Sequence, residues 1–379
     1  MTKIFNAHAP EKSAFQRILL RWYSTHKRDL PWRKNRNPYR ILISEFMLQQ
    51  TRVETVIPYF ERFLKLFPTL DHLAKAPLQK VLKAWAGMGY YARVRHLHAA
   101  ARTICRALDG KIPSTREDLL KLPGFGPYTA GAVASLAFNR TVPALDGNAK
   151  RVLSRLFRDG GHSSWIPSKM KMEKFWEEWI PSGRASDFNQ ALMDLGAMIC
   201  IPSQPRCSEC PVKDFCLSKG TTWKEKSAAK KIREEKWAIA LIEQNGRFLI
   251  HRNEGKGLLA GLWQFPTLVL NRDGGRNEKE ALKKFLREDF GLRVEIKAPL
   301  SEQPYFFTHI HATMKPYLCS LTKTLYPARS PGPVRWIKPR SFTRYPVSTA
   351  MRKIADLLKT TPLLNFLKQK SSIFGVQGE

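Results

Sequence analysis

The sequence predicts two domains of different fold class, an all-α domain followed by an α+β domain. The chain has 379 residues, of which 43% are apolar, so it can bury more than one core. Its first half carries apolar residues at helical spacing, whereas its second half carries strand and turn signals. Between them, residues 219–236 are charge-dense and have no apolar period, which is typical of a linker. We therefore predict an all-α domain over 1–218, a basic linker over 219–235, an α+β domain over 236–361 and a tail over 362–379.

The helical half shows apolar residues three and four positions apart. This spacing runs from residue 39 to residue 66, and Pro58 marks an expected break because proline lacks the amide that a helix interior uses. Further helices are predicted over 78–86, 92–108, 116–121, 130–137, 149–157, 171–179 and 188–199.

The second half begins with a hairpin signal. Strands over 237–242 and 247–251 flank Asn245-Gly246, a pair that admits positive φ and favours a tight turn. A helix is predicted over 277–290, because Asn277 can cap it, Glu280 completes a capping box and Gly291 can end it. Further strands are predicted over 293–297, 305–321 and 334–337.

The charge balance indicates a polyanionic partner. The 64 Lys and Arg residues against 32 Asp and Glu residues give a formal charge of +32, and phosphate polymers are the usual partners of such a surface. No stretch is as apolar and long as a membrane span, and no long basic helix carries a lipid-facing stripe. Nucleic acid is therefore the predicted partner, with an idle basic surface as the alternative.

Four cysteines stand in the pattern C-x6-C-x2-C-x5-C, namely Cys200, Cys207, Cys210 and Cys216. Such closely spaced thiols form one tetrathiolate loop, whose ligands suit iron–sulfur or zinc. Two disulfides are the weaker alternative, because a chain without a secretory leader is expected in a reducing compartment. The long first gap favours a [4Fe–4S] cluster, although ligand chemistry alone leaves zinc open. Cys105 and Cys319 are expected to be small buried apolar groups.

A glycine-containing turn joins two short helices in the segment 122–131. Gly124 and Gly126 let the backbone approach a ligand closely, and the amides that begin the next helix suit a phosphate. Together with the basic chain and the thiolate loop, this turn predicts a helix-hairpin-helix motif that contacts DNA.

Several motifs in order carry a resemblance to a known family. The hairpin, the segment Val142–Lys150 and the segment Phe188–Gly196 resemble the endonuclease III superfamily of base-excision glycosylases. The match covers nearly the whole helical half and continues weakly into the second domain.

Within that superfamily, three segments are similar to MutY-type adenine DNA glycosylases: Leu30-Pro-Trp-Arg33, Ser44–Thr51 and Gly87–Arg93. The resemblance implies an enzyme that removes adenine paired with 8-oxoguanine or guanine in double-stranded DNA. A [4Fe–4S] cluster is the implied cofactor.

Glu45 is the candidate general acid. Removing a base from DNA requires an acid for the leaving purine and an anion beside the positive sugar. Glu45 lies on an apolar face of a predicted helix, where burial should raise its pKa so that it can donate a proton near neutrality. The resemblance assigns it the protonation of adenine. The alternative is a partly buried glutamate paired with Arg40 or Arg52.

Asp146 is the candidate anion. It precedes a predicted helix, where it can serve as an N-cap, and this role is compatible with catalysis. The resemblance implies that Asp146 stabilises or covalently traps the oxocarbenium-like sugar, with Asn148 and Tyr128 positioning groups around it.

The resemblance also assigns residues to DNA. Trp32 and Arg33 would line the pocket for the extruded adenine, and Gln50 and Tyr90 would wedge into the base stack. The alternative for Trp32 and Tyr90 is an ordinary place in the core. Tyr128 stands where strand-cutting glycosylases carry the amine that forms a Schiff base, so we expect no strand cleavage by that route.

The second domain resembles the Nudix-like fold found at the C-terminus of this family. A Nudix hydrolase binds Mg²⁺ through glutamates, but the signature aligned on Gly291-Leu292 meets Leu270, Arg276, Lys284 and Phe285 in place of Gly, Glu, Arg and Glu. We therefore expect no pyrophosphate hydrolysis.

The family recognises 8-oxoguanine through a Phe-Ser-His motif on a strand hairpin. The matching residues are Phe307, Thr308 and His309, so a hydroxyl is kept with an extra methyl group. We expect this tip to read the lesion. The alternative is a strand in which Thr308 suits β geometry and His309 is solvated.

Two other functions stay open. A strand-cutting pyrimidine-lesion glycosylase conflicts with Tyr128 and with the large second domain. A non-catalytic iron–sulfur DNA-binding regulator would keep the cysteines, the hairpin and the charge. We expect a monomer that binds no membrane and is cytoplasmic, or nucleoid-associated in a bacterium.

Overall fold

The computed structural model describes residues 9–157, 169–219, 232–255, 257–270, 277–307, 309–325 and 332–359. Contacts between Cα atoms divide the chain into two units. Unit 1 comprises Met1–Lys75 and His96–Ser227, and unit 2 comprises Ala76–Arg95 and Ala228–Glu379. Unit 2 therefore includes a segment from the helical half of the sequence. The domain boundaries given above stay predictions.

The described residues up to 219 form α-helices and short 3₁₀ turns joined by loops, which confirms the predicted all-α class. Short 3₁₀ turns lie at Pro31–Arg33, Cys207–Glu209 and Lys213–Phe215. The α-helices are α1 Ala9–His26, α2 Pro38–Leu48, α3 Val53–Leu66, α4 Leu70–Lys75, α5 Leu78–Trp85, α6 Tyr91–Ala107, α7 Arg116–Leu120, α8 Pro127–Phe138, α9 Gly147–Leu156, α10 Lys169–Trp179 and α11 Ala185–Met198.

The expected helix break at Pro58 is wrong. Pro58 lies inside α3, and the chain instead breaks between α2 and α3, at residues 49–52. A proline in a helix interior costs about 3 kcal/mol. The opposite face of α3 buries Val56, Phe60 and Phe63 completely, and each such side chain contributes about 1.5–3 kcal/mol. Apolar burial therefore outweighs the lost hydrogen bond.

An aromatic core holds α1, α9, α10 and α11 together in unit 1. Trp176 stacks on Phe188 with ring centroids 5.1 Å apart, and Phe15 meets both rings edge-on. Gly196 lets α11 approach α9 closely, because an added Cβ there would lie 2.8 Å from the Cβ of Asn148. This packing fixes the start of α9, where Asp146 lies.

Unit 2 contains an eight-stranded mixed sheet, in agreement with the predicted α+β class. The strands are β1 Arg233–Gln244, β2 Arg247–Arg252, β3 Trp263–Gln264, β4 Thr267–Leu270, β5 Leu292–Pro299, β6 Gln303–Phe306, β7 Ile310–Thr324 and β8 Val334–Ile337. Their order is β3-β2-β1-β7-β5, with β4 on β1, β6 on β7 and β8 on β2, and among the described pairs only β1–β7 is parallel. Helix α12 Glu278–Phe290 packs on the sheet, and α13 Thr349–Leu357 follows a 3₁₀ segment at Pro339–Arg344.

Local signals in the second half are confirmed. Asn245 and Gly246 have φ values of 51° and 71° in the β1–β2 turn, and the Asn277 side chain accepts the N–H of Glu280 at 3.3 Å. The predicted strand over 305–321 is instead two strands, β6 and β7. The Phe307 N–H closes their turn by donating to the Ile310 carbonyl at 2.8 Å.

Two predicted segments lie largely or wholly outside the described residues. Most of the predicted linker 219–235 does so, although β1 already begins at Arg233. The predicted tail 362–379 does so completely. Among the helices that the structure describes, none is long and apolar enough to cross a membrane.

Candidate active site

A cavity of about 700 Å³, which we call the front cavity, opens in unit 1 between α2, α8, α9 and α11. It gathers residues from distant parts of the sequence. The predicted site residues that line it are Trp32, Arg33, Glu45, Gln50, Tyr128, Asp146 and Asn148.

Glu45 lies on α2 and is only 3% exposed. The Tyr128 hydroxyl donates a 2.7 Å hydrogen bond to its Oε2 atom. Burial raises the pKa of Glu45 to about 7, with a further increase from Asp146, while the Tyr128 hydrogen bond and the Arg33 charge oppose this. A carboxyl group with such a pKa can carry and donate a proton near neutral pH.

Asp146 is the N-cap of α9. Its carboxylate accepts hydrogen bonds from the Ala149 N–H at 2.6 Å and from the Asn148 side-chain amide at 3.2 Å. Burial raises the pKa of Asp146, and these hydrogen bonds act in the opposite direction. Glu45 is almost completely buried and accepts the Tyr128 hydrogen bond, whereas Asp146 is partly exposed and accepts hydrogen bonds from the Ala149 and Asn148 backbone amides and from the Asn148 side chain. Different surroundings of this kind are how paired carboxyl groups take separate acid and anion roles.

Arg33 and Trp32 follow each other in a 3₁₀ turn at the edge of the cavity. Arg33 makes a bidentate ion pair with Asp194, at 2.6 and 3.0 Å, and Arg28 binds the same carboxylate at 2.7 Å. Asp194 is completely buried, so the two guanidinium groups compensate its charge and fix its position. Trp32 is 5% exposed and meets the Phe60 ring edge-on at 5.3 Å.

Asp194 and Arg28 are two residues of the site that the sequence motifs did not predict. An acid within the otherwise apolar run Ala191–Gly196 was the available signal, because buried charges are paired or functional. The sequence did not show which arginines would pair with it, since they lie more than 160 positions away.

The two residues predicted to wedge into the base stack, Gln50 and Tyr90, share an unusual backbone conformation. Gln50 and Tyr90 have φ values of 56° and 48°, a left-handed conformation that costs a non-glycine residue about 1 kcal/mol. Such strain is typical of functional positions. Gln50 is exposed at the front cavity of unit 1. Tyr90 belongs to unit 2, where it lines a cavity of about 180 Å³ with Tyr305 and Phe307.

The hairpin between α7 and α8 has the predicted glycine turn. Gly124 has a φ of 79°, and an added Cβ would lie 2.4 Å from the Cβ of His96, so only glycine fits. Gly126 is the N-cap of α8 and Pro127 is its first residue, and no described side chain caps this helix. The first amides of α8 are therefore available to an external acceptor such as a phosphate.

The predicted lesion-reading tip lies in unit 2, between β6 and β7. His309 is exposed, and its carbonyl accepts the Arg233 N–H at 2.9 Å. Phe307 packs against Trp237 and Tyr305, with ring centroids 5.3 and 4.8 Å apart. Thr308 lies outside the described residues.

The four clustered cysteines line one cavity of about 30 Å³. All six cysteines are free thiols, so the structure contains neither of the two disulfides considered as an alternative. Arg155 is 4% exposed and donates to Cys200 Sγ at 3.4 Å. Over the described part of the chain, no three His, Cys, Asp or Glu side chains are arranged to hold a single metal ion. Cys319 is buried as expected, whereas Cys105 is only half-buried.

Comparisons with known proteins agree with this architecture. Residues 43–182 match the HhH-GPD superfamily of base excision DNA repair proteins, and residues 237–357 match the NUDIX domain. A solved thermostable thymine-DNA glycosylase superposes with a TM-score of 0.51 at 31% identity, covering 55% of this chain and 97% of its own. Fold and site thus define a base-excision DNA glycosylase with a helix-hairpin-helix motif.

Relatives that match most of this chain identify the family within that class. Adenine DNA glycosylase from Rattus norvegicus is 35% identical over 90% of this chain and 77% of its own length. The Homo sapiens enzyme is 35% identical over 91% and 74%, and that of Buchnera aphidicola subsp. Baizongia pistaciae is 36% identical over 68% and 75%. The chain belongs to the adenine DNA glycosylase family of base excision repair enzymes.

Proposed function

We propose that this enzyme removes adenine opposite 8-oxoguanine, and opposite guanine, by hydrolysing the N-glycosidic bond without cutting the strand. One observation carries the proposal. Glu45 is buried in the front cavity with its pKa raised to about 7, held by Tyr128 and in the same cavity as Asp146. Membership of the adenine DNA glycosylase family identifies adenine as the excised nucleobase. The positions of Glu45 and Asp146 support their roles as the acid and the anion in its removal.

The chemistry uses the two carboxyl groups in turn. Glu45 donates its proton to the adenine ring, and the bond between the sugar C1′ and the base breaks with its electron pair going to adenine. The Asp146 carboxylate stabilises the positive sugar. A water molecule then bonds to C1′ and loses a proton to a carboxylate. The products are free adenine and an abasic site, and the strand stays intact.

The absence of strand cutting is proposed from Tyr128. A lyase uses an amine that attacks the sugar carbon and forms a Schiff base. Tyr128 occupies the position of that amine and donates its hydroxyl proton to Glu45 in a hydrogen bond. Lys150 also lines the front cavity. Borohydride trapping should therefore be measured on the wild type and on Lys150→Ala, because a trapped adduct lost in this variant would contradict the monofunctional mechanism.

The choice of 8-oxoguanine is proposed from the β6–β7 tip. His309 is exposed there, and Phe307 is held by two aromatic rings. Thr308, between them, brings a hydroxyl that can bond to a base edge. The resemblance of this Phe-Thr-His run to the family's motif supports the same role here.

A [4Fe–4S] cluster is proposed as the cofactor, held by Cys200, Cys207, Cys210 and Cys216. Four free thiols line one cavity, four thiolates are the ligand set of such a cluster, and endonuclease III-type glycosylases generally carry one. When bound, it would cross-link the loop. Purified protein should be yellow-brown with about four irons per chain. Stoichiometric zinc without iron in anaerobically prepared protein would contradict the cluster.

We also propose the DNA partner, the oligomeric state and the location of the enzyme. The partner is double-stranded DNA with an adenine mispair, bound by a monomer in the cytoplasm, or on the nucleoid of a bacterium. Membership of a glycosylase family disfavours a non-catalytic regulator. A bifunctional glycosylase would need an amine that attacks the sugar carbon, which the Tyr128 side chain does not provide.

The deciding experiment incubates the enzyme with duplexes that hold adenine opposite 8-oxoguanine, guanine or thymine. Each sample is divided, and one half is treated with alkali, which cuts abasic sites. We expect cleavage opposite 8-oxoguanine and guanine only after alkali, and none opposite thymine. Cleavage without alkali would contradict the monofunctional mechanism, and no cleavage opposite 8-oxoguanine would contradict the substrate.

A further inference from the structure

Unit 1 contains a second cavity of about 410 Å³, which we call the rear cavity. Tyr23, Ile41 and Ser44 lie inside it and are buried. Its mouth is formed by exposed residues, namely Lys27, Asp29, Lys34, Asn35 and Arg36. None of these eight residues lines the front cavity.

The two cavities meet at shared side chains. The residues that line both are Arg28, Trp32, Arg33, Glu45, Leu136 and Gln190. The proposed general acid, Glu45, is therefore reached from two sides. The front side carries Gln50, Tyr128 and Asp146, the groups proposed to contact DNA or its sugar. The rear side carries none of them.

The rear cavity suits a free purine base. Its volume lies within the range of small-molecule sites, about 300–1,000 Å³. Trp32 and Tyr23 line it, and bases stack on aromatic side chains without needing a partner strand. Ser44 and Gln190 provide polar groups nearby. The mouth carries both positive and negative side chains, and an uncharged base is not held there by an ion pair.

We propose that the rear cavity receives the excised adenine and releases it while the abasic DNA still covers the front cavity. This inference rests on the proposed function. The proton of Glu45 leaves on the adenine, so the released base is neutral and needs no counter-ion. With DNA over Gln50 and Tyr128, the front route is closed, so the base would have to leave between the side chains that line both cavities.

Asp187, which pairs with Arg36 of the mouth at 3.9 Å, allows a test there without touching the proposed catalytic groups. It lines the rear cavity but not the front one, and its ion pairs with Arg184 and Arg36 are largely exposed. Such pairs contribute less than about 1 kcal/mol. Asp187→Trp adds bulk at the mouth, and Asp187→Ala removes the same charge without adding bulk. Asn35→Trp and Asn35→Ala form a second matched pair.

The measurement uses a duplex with a tritium-labelled adenine opposite 8-oxoguanine and an excess of enzyme. Rapid gel filtration at timed intervals separates free adenine from the enzyme–DNA complex, and quenched samples report total excision. We expect the wild type and both alanine variants to release adenine while the DNA stays bound. Both tryptophan variants should excise at the normal rate but release adenine at least about tenfold more slowly.

Two results would overturn the inference. One is wild-type enzyme that retains adenine until the DNA dissociates. The other is release by both tryptophan variants at the wild-type rate. The quenched samples distinguish these outcomes from a failure of the proposed function, because in that case the wild type would excise no adenine at all.

Discussion

The Tyr128 hydroxyl donates a 2.7 Å hydrogen bond to Oε2 of Glu45, and both side chains line the front cavity. Glu45 comes from α2 and Tyr128 from the first turn of α8. This bond stabilises the charged form of the carboxylate and so lowers its pKa, whereas burial raises the pKa by more, to about 7. The balance of the two effects leaves Glu45 able to act as an acid under physiological conditions.

Glu45→Gln should stabilise the protein, and increasingly so at higher pH. The folded-state pKa of Glu45 is raised from 4.5 to about 7, so the folded state binds the proton more tightly than the unfolded state. Wild-type stability from this group therefore falls as pH rises from about 4.5 to about 7, by about 3 kcal/mol at most. Urea unfolding of both proteins at pH 5.5 and 8.5 measures the difference. A gap that does not widen at pH 8.5 would contradict the raised pKa.

Asp146→Asn should cripple excision with little loss of stability. The amide oxygen can still accept the Ala149 N–H and cap α9, but the negative charge beside the sugar is gone. Asp146→Ala is the matched control, and it should additionally lower the free energy of unfolding by about 1 kcal/mol. Single-turnover excision and urea unfolding check the two effects. Normal excision by Asp146→Asn would show that no anion is needed at this position.

Tyr128→Lys should introduce some strand cleavage. A lysine there reaches the position from which an amine can attack the sugar carbon and form a Schiff base. Borohydride should trap a covalent enzyme–DNA adduct, which is visible as a band of reduced mobility in a denaturing gel. Tyr128→Phe is the control, because it loses the hydroxyl without gaining an amine. If base excision persists without a trapped adduct, the hairpin geometry has been misassigned.

Replacing Thr308 and His309 together with alanine should weaken discrimination between 8-oxoguanine and guanine. Each lost contact is worth roughly 1 kcal/mol, so the preference should fall about tenfold or more. Single-turnover rates at limiting enzyme, opposite each base, measure it. An equal loss on both substrates would indicate general damage, and no loss on either would place lesion recognition elsewhere.

Local patterns made much of the fold predictable. Helical spacing around Glu45 predicted that its face is buried, and Asn245-Gly246 and Asn277 marked a turn and a helix start correctly. These signals depend on residues only a few positions apart. Pro58 shows the limit, because distant packing partners decided the stability of its helix.

Long-range relationships were not visible in the sequence. The pairing of Asp194 with Arg28 and Arg33 joins residues more than 160 positions apart. The rear cavity likewise depends on how helices α1, α2 and α11 pack. Periodicity assigns a residue to a face but does not say which other face it meets. The sequence therefore proposed the site residues one by one, whereas it did not show their hydrogen-bond partners or the cavities that they line.

The most direct test of the account is single-turnover excision by Glu45→Gln on a duplex with adenine opposite 8-oxoguanine, with binding to the same duplex measured in parallel. The amide keeps the shape of the side chain but has no acidic proton to donate. We predict a rate lowered by about 10²-fold or more, with nearly unchanged affinity, and a wild-type rate that falls as pH rises above about 7. Near-normal excision by Glu45→Gln would contradict the central claim that Glu45 is the general acid.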